Sequence, residues 1–363
     1  MKQPPSRSIL LVARGLDPVG TGRQVELAAE GLRGAGYDVH VAITTTGGAT
    51  PARLAEAGFA VHRVGRRGRV DGSAVARLAL LARRLRPAVL HACGRSQAVL
   101  AAAARPLVPR ARLVCQVALG PRDAATAWAL RSADRVITVS AAVAGRCEAR
   151  GVRSGRIDII PPGIVAAADR GLSRGQIARA LGLRFESPWT LCVAPLVAEA
   201  RLDRLLWGID QLDVVHRGVE HVLVGSGPLE RRLLRRSRAQ QLAQRLHLVS
   251  QCDFLPDLLR QVRLVWQSGD VAYGGAILDA MPLGIPAIAV DGDTARQLIA
   301  DDQTGRIVPA VPESELPRRA MNIIEDESLA ARYSAAARAR AEEQFSIGGS
   351  IPRQIAVIDR LIQ

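Results

Sequence analysis

The chain has 363 residues, 48% of them apolar and with a net charge of +15, which is enough material for two domains with separate cores. That composition excludes a disordered or collagen-like chain, and no apolar run reaches the roughly 20 residues of a membrane-spanning helix. The opening residues lack a small-residue cleavage site, so no secretory signal is expected.

The basic residues comprise one lysine, Lys2, and 48 arginines. A single lysine at the N-terminus excludes a GxxxxGK[ST] phosphate loop, a Schiff-base lysine and a kinase-type lysine. Residues 1–165 carry 25 basic and 10 acidic side chains, whereas residues 166–363 carry 24 of each. The whole surplus therefore lies in the first half. Five scattered cysteines without a CxxC pair fit a reducing compartment, and argue against a disulfide frame or a structural zinc.

In chain order, short β-rich runs are expected at 9–13, 39–43, 89–91, 113–117, 136–139 and 157–160, with helical patterns at 23–32, 73–85 and 126–132 between them. Near-continuous apolar strands alternating with amphipathic helices imply a parallel sheet covered on both faces. Two prolines and two glycines in residues 161–171 interrupt the rhythm and read as a linker. Strand patterns resume at 190–194, 221–224, 246–249, 264–266, 287–290 and 306–308, and a charged helical tail follows from 315. The expected architecture is α/β, with two doubly wound Rossmann-like domains facing across a cleft. The boundaries are 1–165, 166–345 and a last helix, 346–363, packing back on the first domain. Ligands of such sheets bind beyond the carboxyl ends of the strands.

The first strand runs into a loop, Gly15 to Gly22, that opens a helix. Such a loop suits either an anionic ligand at backbone N–H groups or a plain tight turn, because Val25 replaces the third glycine of the dinucleotide fingerprint. The stretch ILLVARGLDPVGTGRQVELAAEGLRGAGYDVHV resembles the opening of retaining glycosyltransferases of family 4, which have the GT-B fold. Residues 133–164, the turn LVGSGPLERRL and residues 274–309 are similar to later passages of that family, in order. The resemblance implies transfer of a sugar from a nucleotide diphosphate sugar, without a metal and with retention, to a glycan or lipid-linked acceptor held by the first domain. It places Gly20, Gly22, Gly225, Gly227, Tyr273, Gly274 and Asp279 at the donor.

The same resemblance exposes departures. The arginine and lysine that clamp the donor diphosphate become Pro195 and Ala200, the first glutamate of the family pair becomes Val271, and a later glutamate becomes Gln297. Ala118 stands near the place of a family histidine, and His91 matches the first histidine of an acceptor-side His-x-His-Gly pattern, with Cys93 in the second place. His91 reads equally as a buried strand-end histidine. Arg201 and Arg204 offer a substitute phosphate contact or are solvated helix arginines. The losses set a second reading beside the enzyme: a non-catalytic relative acting as partner or regulatory subunit of an active transferase.

Asp291-Gly292-Asp293 has metal-site spacing, but its position fits loop polarity better, and the six histidines form no HExxH pair. No metal is expected. The arginines of 62–69 and 77–86 suit an anionic membrane surface or are simply solvated. Nucleic acid is not expected, because aromatic residues make up only 3%. A cytoplasmic place, peripheral at the inner membrane face, follows from these expectations.

Overall fold

The computed structural model describes residues 7–15, 19–44, 51–65, 71–216 and 218–363. The chain forms two compact units. The first comprises residues up to Gly163, apart from Pro18–Gly20, together with Phe345–Gln363; the second comprises Pro18–Gly20 and Ile164–Gln344. Lys2, Leu16, Asp17, Pro18 and Arg66–Arg69 of the expected loop and basic run lie outside the described residues.

The first unit runs β1 (Ser8–Ala13), α1 (Gly20–Gly34), β2 (Asp38–Ile43), α2 (Pro51–Glu56), β3 (Ala60–Arg63), α3 (Gly72–Leu85), β4 (Val89–Cys93), α4 (Arg95–Ala104), β5 (Arg112–Val117), α5 (Ala124–Ser132), β6 (Arg135–Thr138), α6 (Ala141–Glu148) and β7 (Ile157–Ile159). Its seven strands lie in the order β3-β2-β1-β4-β5-β6-β7, and every pairing is parallel. Central β1 is buried along its whole length, as a strand covered on both faces must be. Edge strand β3, absent from the sequence reading, is the half-exposed AVHR, too short and too basic to stand out. Asp71 and Asp123 accept hydrogen bonds from the N–H groups of Ala74 and Thr126 and so cap α3 and α5.

The second unit runs α7 (Arg174–Leu181), β8 (Trp189–Val193), α8 (Leu202–Val215), β9 (Glu220–Val224), α9 (Glu230–Ala239), β10 (Leu246–Val249), α10 (Leu255–Gln261), β11 (Leu264–Gln267), α11 (Ile277–Ala280), β12 (Ala287–Val290), α12 (Asp293–Leu298), β13 (Gly305–Val308), α13 (Glu315–Glu325) and α14 (Glu327–Gln344). Its six parallel strands lie in the order β10-β9-β8-β11-β12-β13. A reciprocal capping box between Ser173 and Gln176 starts α7. The core is contributed by Leu191, Leu205, Trp266 and Ile288, none more than 1% exposed.

The last helix, α15 (Ile347–Ile362), belongs to the first unit. Two glycines let it approach closely. A Cβ on Gly31 would stand 2.3 Å from Ile351 Cγ2, and one on Gly163 would stand 2.8 Å from the Ile347 Cα. Tyr37 donates its hydroxyl to Asp359, and Arg360 pairs with Asp158 at 3.0 Å. The helical tail is thus three helices divided between two units.

Candidate functional site

At the carboxyl ends of β8, β9 and β11 the second unit folds its loops against one another by leaving out side chains. A Cβ on Gly225 would lie 1.9 Å from the Ala194 carbonyl, and one on Gly275 would lie 2.0 Å from that of Val193. Gly227 and Gly269 approach the carbonyls of Leu196 and Glu199 in the same way. Cross-loop hydrogen bonds fix the arrangement: Leu196 N–H to the Ser226 carbonyl at 3.0 Å, and Leu229 N–H back to the Leu196 carbonyl at 3.1 Å. Ser268 donates to the Ala200 carbonyl at 2.8 Å. The result is a set of loops packed backbone to backbone at the end of a parallel sheet, where such folds take nucleotides.

Tyr273, Gly274 and Gly275 follow with φ of 57°, 67° and 62°, a left-handed bend that two glycines make accessible and that Tyr273 enters at a steric cost. This bend brings Gly275 to Gly20, whose own φ is 60° and whose Cβ would lie 3.1 Å from the Gly275 carbonyl. Asp279, 5% exposed, accepts the Gly20 N–H at 2.9 Å. Gly20, Gly274, Gly275 and Asp279 are therefore neighbours in the second unit, although 259 residues separate the hydrogen-bonded pair. Gly22 lies buried in the first turn of α1, in the first unit.

The substituted positions are filled rather than open. Ala200 is fully buried, and Val271 packs into the apolar core with Trp266 and Ile288. Pro195 is half-buried, as is Gln297 on α12, whose carbonyl accepts from Arg340 at 2.9 Å. Arg201 is exposed, with φ of 51° at the start of α8, and Arg204 reaches Glu313 at 3.4 Å. Gln267, not among the expected site residues, is 3% exposed, and neither of its amide atoms has a hydrogen-bond partner among the described residues. A polar residue ending an otherwise apolar strand was its one signal.

The first unit finishes its sheet with side-chain pairs instead. His91 is fully buried and lies 3.1 Å from Gln116 Oε1; burial lowers its pKa to about 4, so it is neutral. Gln97 donates to Thr44 Oγ1 at 3.0 Å, while Cys93 and Ala118 are buried nearby in sequence. Asp291 is held by both arms of Arg296, at 2.7 and 2.6 Å, which keeps its carboxyl below the usual range. Among the described residues, no three His, Cys, Asp or Glu side chains converge as a metal site. All five cysteines are buried and free.

A family model described as Glycosyltransferase Family 4 matches residues 18–167, and one described as Glycosyl transferases group 1 matches residues 173–340. The chain belongs to the family 4 glycosyltransferases. Its two Rossmann-like parallel-sheet units are those of the GT-B fold. Family-wide likeness extends to solved structures. HepE of Anabaena, in complex with UDP and glucose, is 20% identical with a TM-score of 0.76, over 96% of this chain and 98% of that one. A sucrose-phosphate synthase from Thermosynechococcus elongatus is 18% identical with a TM-score of 0.76, over 98% of each chain. The phosphatidyl-myo-inositol mannosyltransferase of Mycolicibacterium smegmatis is 29% identical over 140 residues, which are 38% of this chain. The chain spans about a third, 36%, of the length of that curated relative.

Proposed function

We propose that this family 4 glycosyltransferase moves a hexosyl group from a nucleotide diphosphate sugar to a hydroxyl acceptor, with retention at the anomeric carbon. The first domain (1–165, with 346–363 packed back on it) serves the acceptor, and the second (166–345) serves the donor. The observation that carries this reading is the match of both halves, in order, to the two domain models of the family. The glycine-backed loops of the second unit support it, since they pack closely at the carboxyl ends of the parallel strands, where such folds take their ligands. In this reading Gly225, Gly227, Tyr273, Gly274 and the Gly20–Gly22 turn meet the diphosphate and sugar, and Asp279 turns from Gly20 to a ribose hydroxyl. His91, with no exposed surface, stays a buried strand-end histidine paired with Gln116 and touches no acceptor. No metal takes part. The relatives' names point to UDP-glucose and a phosphatidylinositol acceptor as the first substrates to assay.

A second reading rests on the buried Ala200 and Val271. A charge-assisted contact to phosphate contributes roughly 1.5–3 kcal/mol. Without the usual arginine and lysine, donor affinity falls by about two to four orders of magnitude unless Arg201 or Arg204 supplies a substitute. The leaving diphosphate also loses its electrostatic partners. A chain of that kind serves as partner or regulatory subunit of an active transferase.

Calorimetric titration with uridine, guanosine and adenosine diphosphates separates the two. Heat at micromolar to sub-millimolar ligand, increased by Pro195→Arg, supports the transferase. A folded sample silent at millimolar ligand supports the partner role.

A further inference from the structure

Strand β11 ends on a side chain that the site leaves unused. Gln267 lies in the interior of the second sheet, on a strand between β8 and β12, and its neighbours Trp266 and Ser268 are buried with it. Ser268 is satisfied, donating to the Ala200 carbonyl at 2.8 Å. Neither amide atom of Gln267 has a hydrogen-bond partner among the described residues, although only 3% of the residue is exposed. An unmet buried carboxamide works against folding, since its donor and its acceptor both give up water without replacement. An apolar side chain of the same length would avoid that cost.

Directly against this amide lies the left-handed bend. Gly275 comes so close that a Cβ on it would stand 2.9 Å from Gln267 Oε1. The bend keeps its own N–H groups occupied. That of Gly274 goes to the Val271 carbonyl at 2.9 Å, and that of Gly275 to the Ala272 carbonyl at 3.3 Å, longer than the usual range. The peptide between Gly274 and Gly275 is flanked by two residues without a Cβ, so it turns at little steric cost. Tyr273 meanwhile holds a φ of 57°, which is unfavourable for a bulky residue. The bend thus combines a weakly held N–H and a peptide with little to hinder its rotation, next to an unused donor and acceptor.

We propose that Gln267 is a positioning residue for the nucleotide: when a ligand draws the Gly275 N–H away from Ala272, the Gly274–Gly275 peptide turns and makes a hydrogen bond to the Gln267 carboxamide. The side chain offers Nε2 as donor and Oε1 as acceptor, so it serves whichever edge of the turned peptide faces it. Gln267 itself stays beneath the bend and touches no ligand. This inference rests on the reading of the second unit as the donor site, and adds to it a second state of the bend that the bound form occupies.

Gln267→Met, similar in length and without hydrogen-bonding groups, tests this in the full chain. Without ligand, the variant is expected to melt at or above the wild-type temperature, because it buries no unmet polar group. In calorimetric titration with uridine, guanosine and adenosine diphosphates it is expected to bind about three- to tenfold more weakly, the loss of one net hydrogen bond made only in the complex. In wild type, saturating nucleotide is expected to change hydrogen exchange at the amides of the bend, residues 272–275. A merely structural role would lower the melting temperature and leave that exchange as it was. Wild type silent towards all three nucleotides overturns the donor-site reading and this inference together. Equal nucleotide affinity in wild type and variant, a variant that melts well below wild type, or unchanged exchange at the bend of nucleotide-bound wild type overturns the inference alone.

Discussion

The two units finish their parallel sheets in opposite ways. The second brings loops together by omission: Gly225, Gly227, Gly269 and Gly275 leave backbone against backbone, and the positions where the family carries charge are occupied by buried Ala200 and core-packed Val271. The first keeps its side chains and pairs them, His91 with Gln116 and Gln97 with Thr44. Its nearest counterpart to the packed glycines is Gly94, where an added Cβ would meet only the Gln97 side-chain amide, at 2.9 Å. A backbone-lined end tolerates no added atom, because the neighbouring loop's backbone fills the space a Cβ would need. A side-chain-paired end tolerates substitution but depends on the protonation of its members.

The largest effect should come from adding one carbon to the backbone-lined end. Gly225→Ala places a Cβ 1.9 Å from a backbone carbonyl that cannot rotate away. It is expected to cost about 3 kcal/mol or more in a urea unfolding experiment. Gly94→Ala meets a side chain that can swing, so its cost is expected to come mainly from the φ of 110°, and to be smaller. Equal losses at the two sites would erase the distinction.

Acid is the second way to probe it. Burial lowers the pKa of His91 from 6.5 to about 4, and burial, then Arg245 and His247, lower that of His221 to about 3. Each is neutral in the folded state and protonates readily once unfolded. Their contribution is complete above pH 6.5 and is lost progressively as the pH falls towards 4. The loss is about 3 kcal/mol for each histidine. His91→Gln should flatten that decline in a melting-temperature profile between pH 7 and 4, and His221→Gln should do so independently, since the two lie in separate units. A decline as steep in the double variant as in wild type would show that other groups govern the acid limb.

The smallest expected effect compares one helix cap in each unit. Ser173→Ala and Asp123→Ala each remove a side chain that accepts a first-turn N–H. Each is expected to cost about 1 kcal/mol in the same unfolding experiment.

Much of the fold was legible because its strands are apolar on both faces and announce themselves as runs such as ILLVA. What escaped notice has physical reasons. Edge strand β3 is half-exposed and carries His62 and Arg63, so it lacks the apolar run of its neighbours. Helix α4, largely buried alanine, has no polar face to give it a period. At the candidate site, the Gly-x-Gly-Pro turn at 225–228 could be read from its own residues. The need for glycine at 269 could not, because the atom that forbids a side chain there is the carbonyl of Glu199. Asp279 likewise finds Gly20 across 259 residues, a partnership that no local pattern encodes.

Helix α15 has a consequence for how the molecule is made. Its Val357 and Ile358 belong to the same apolar cluster as Ile9, Leu11 and Val41, so the lobe begun first on the ribosome is the one completed last. Until residues 345–363 emerge, that nascent lobe holds an uncovered greasy seam while the whole of the other lobe is synthesised and folds. Of the two lobes, the arginine-rich one is therefore the one whose apolar seam stays open longer to unwanted contacts.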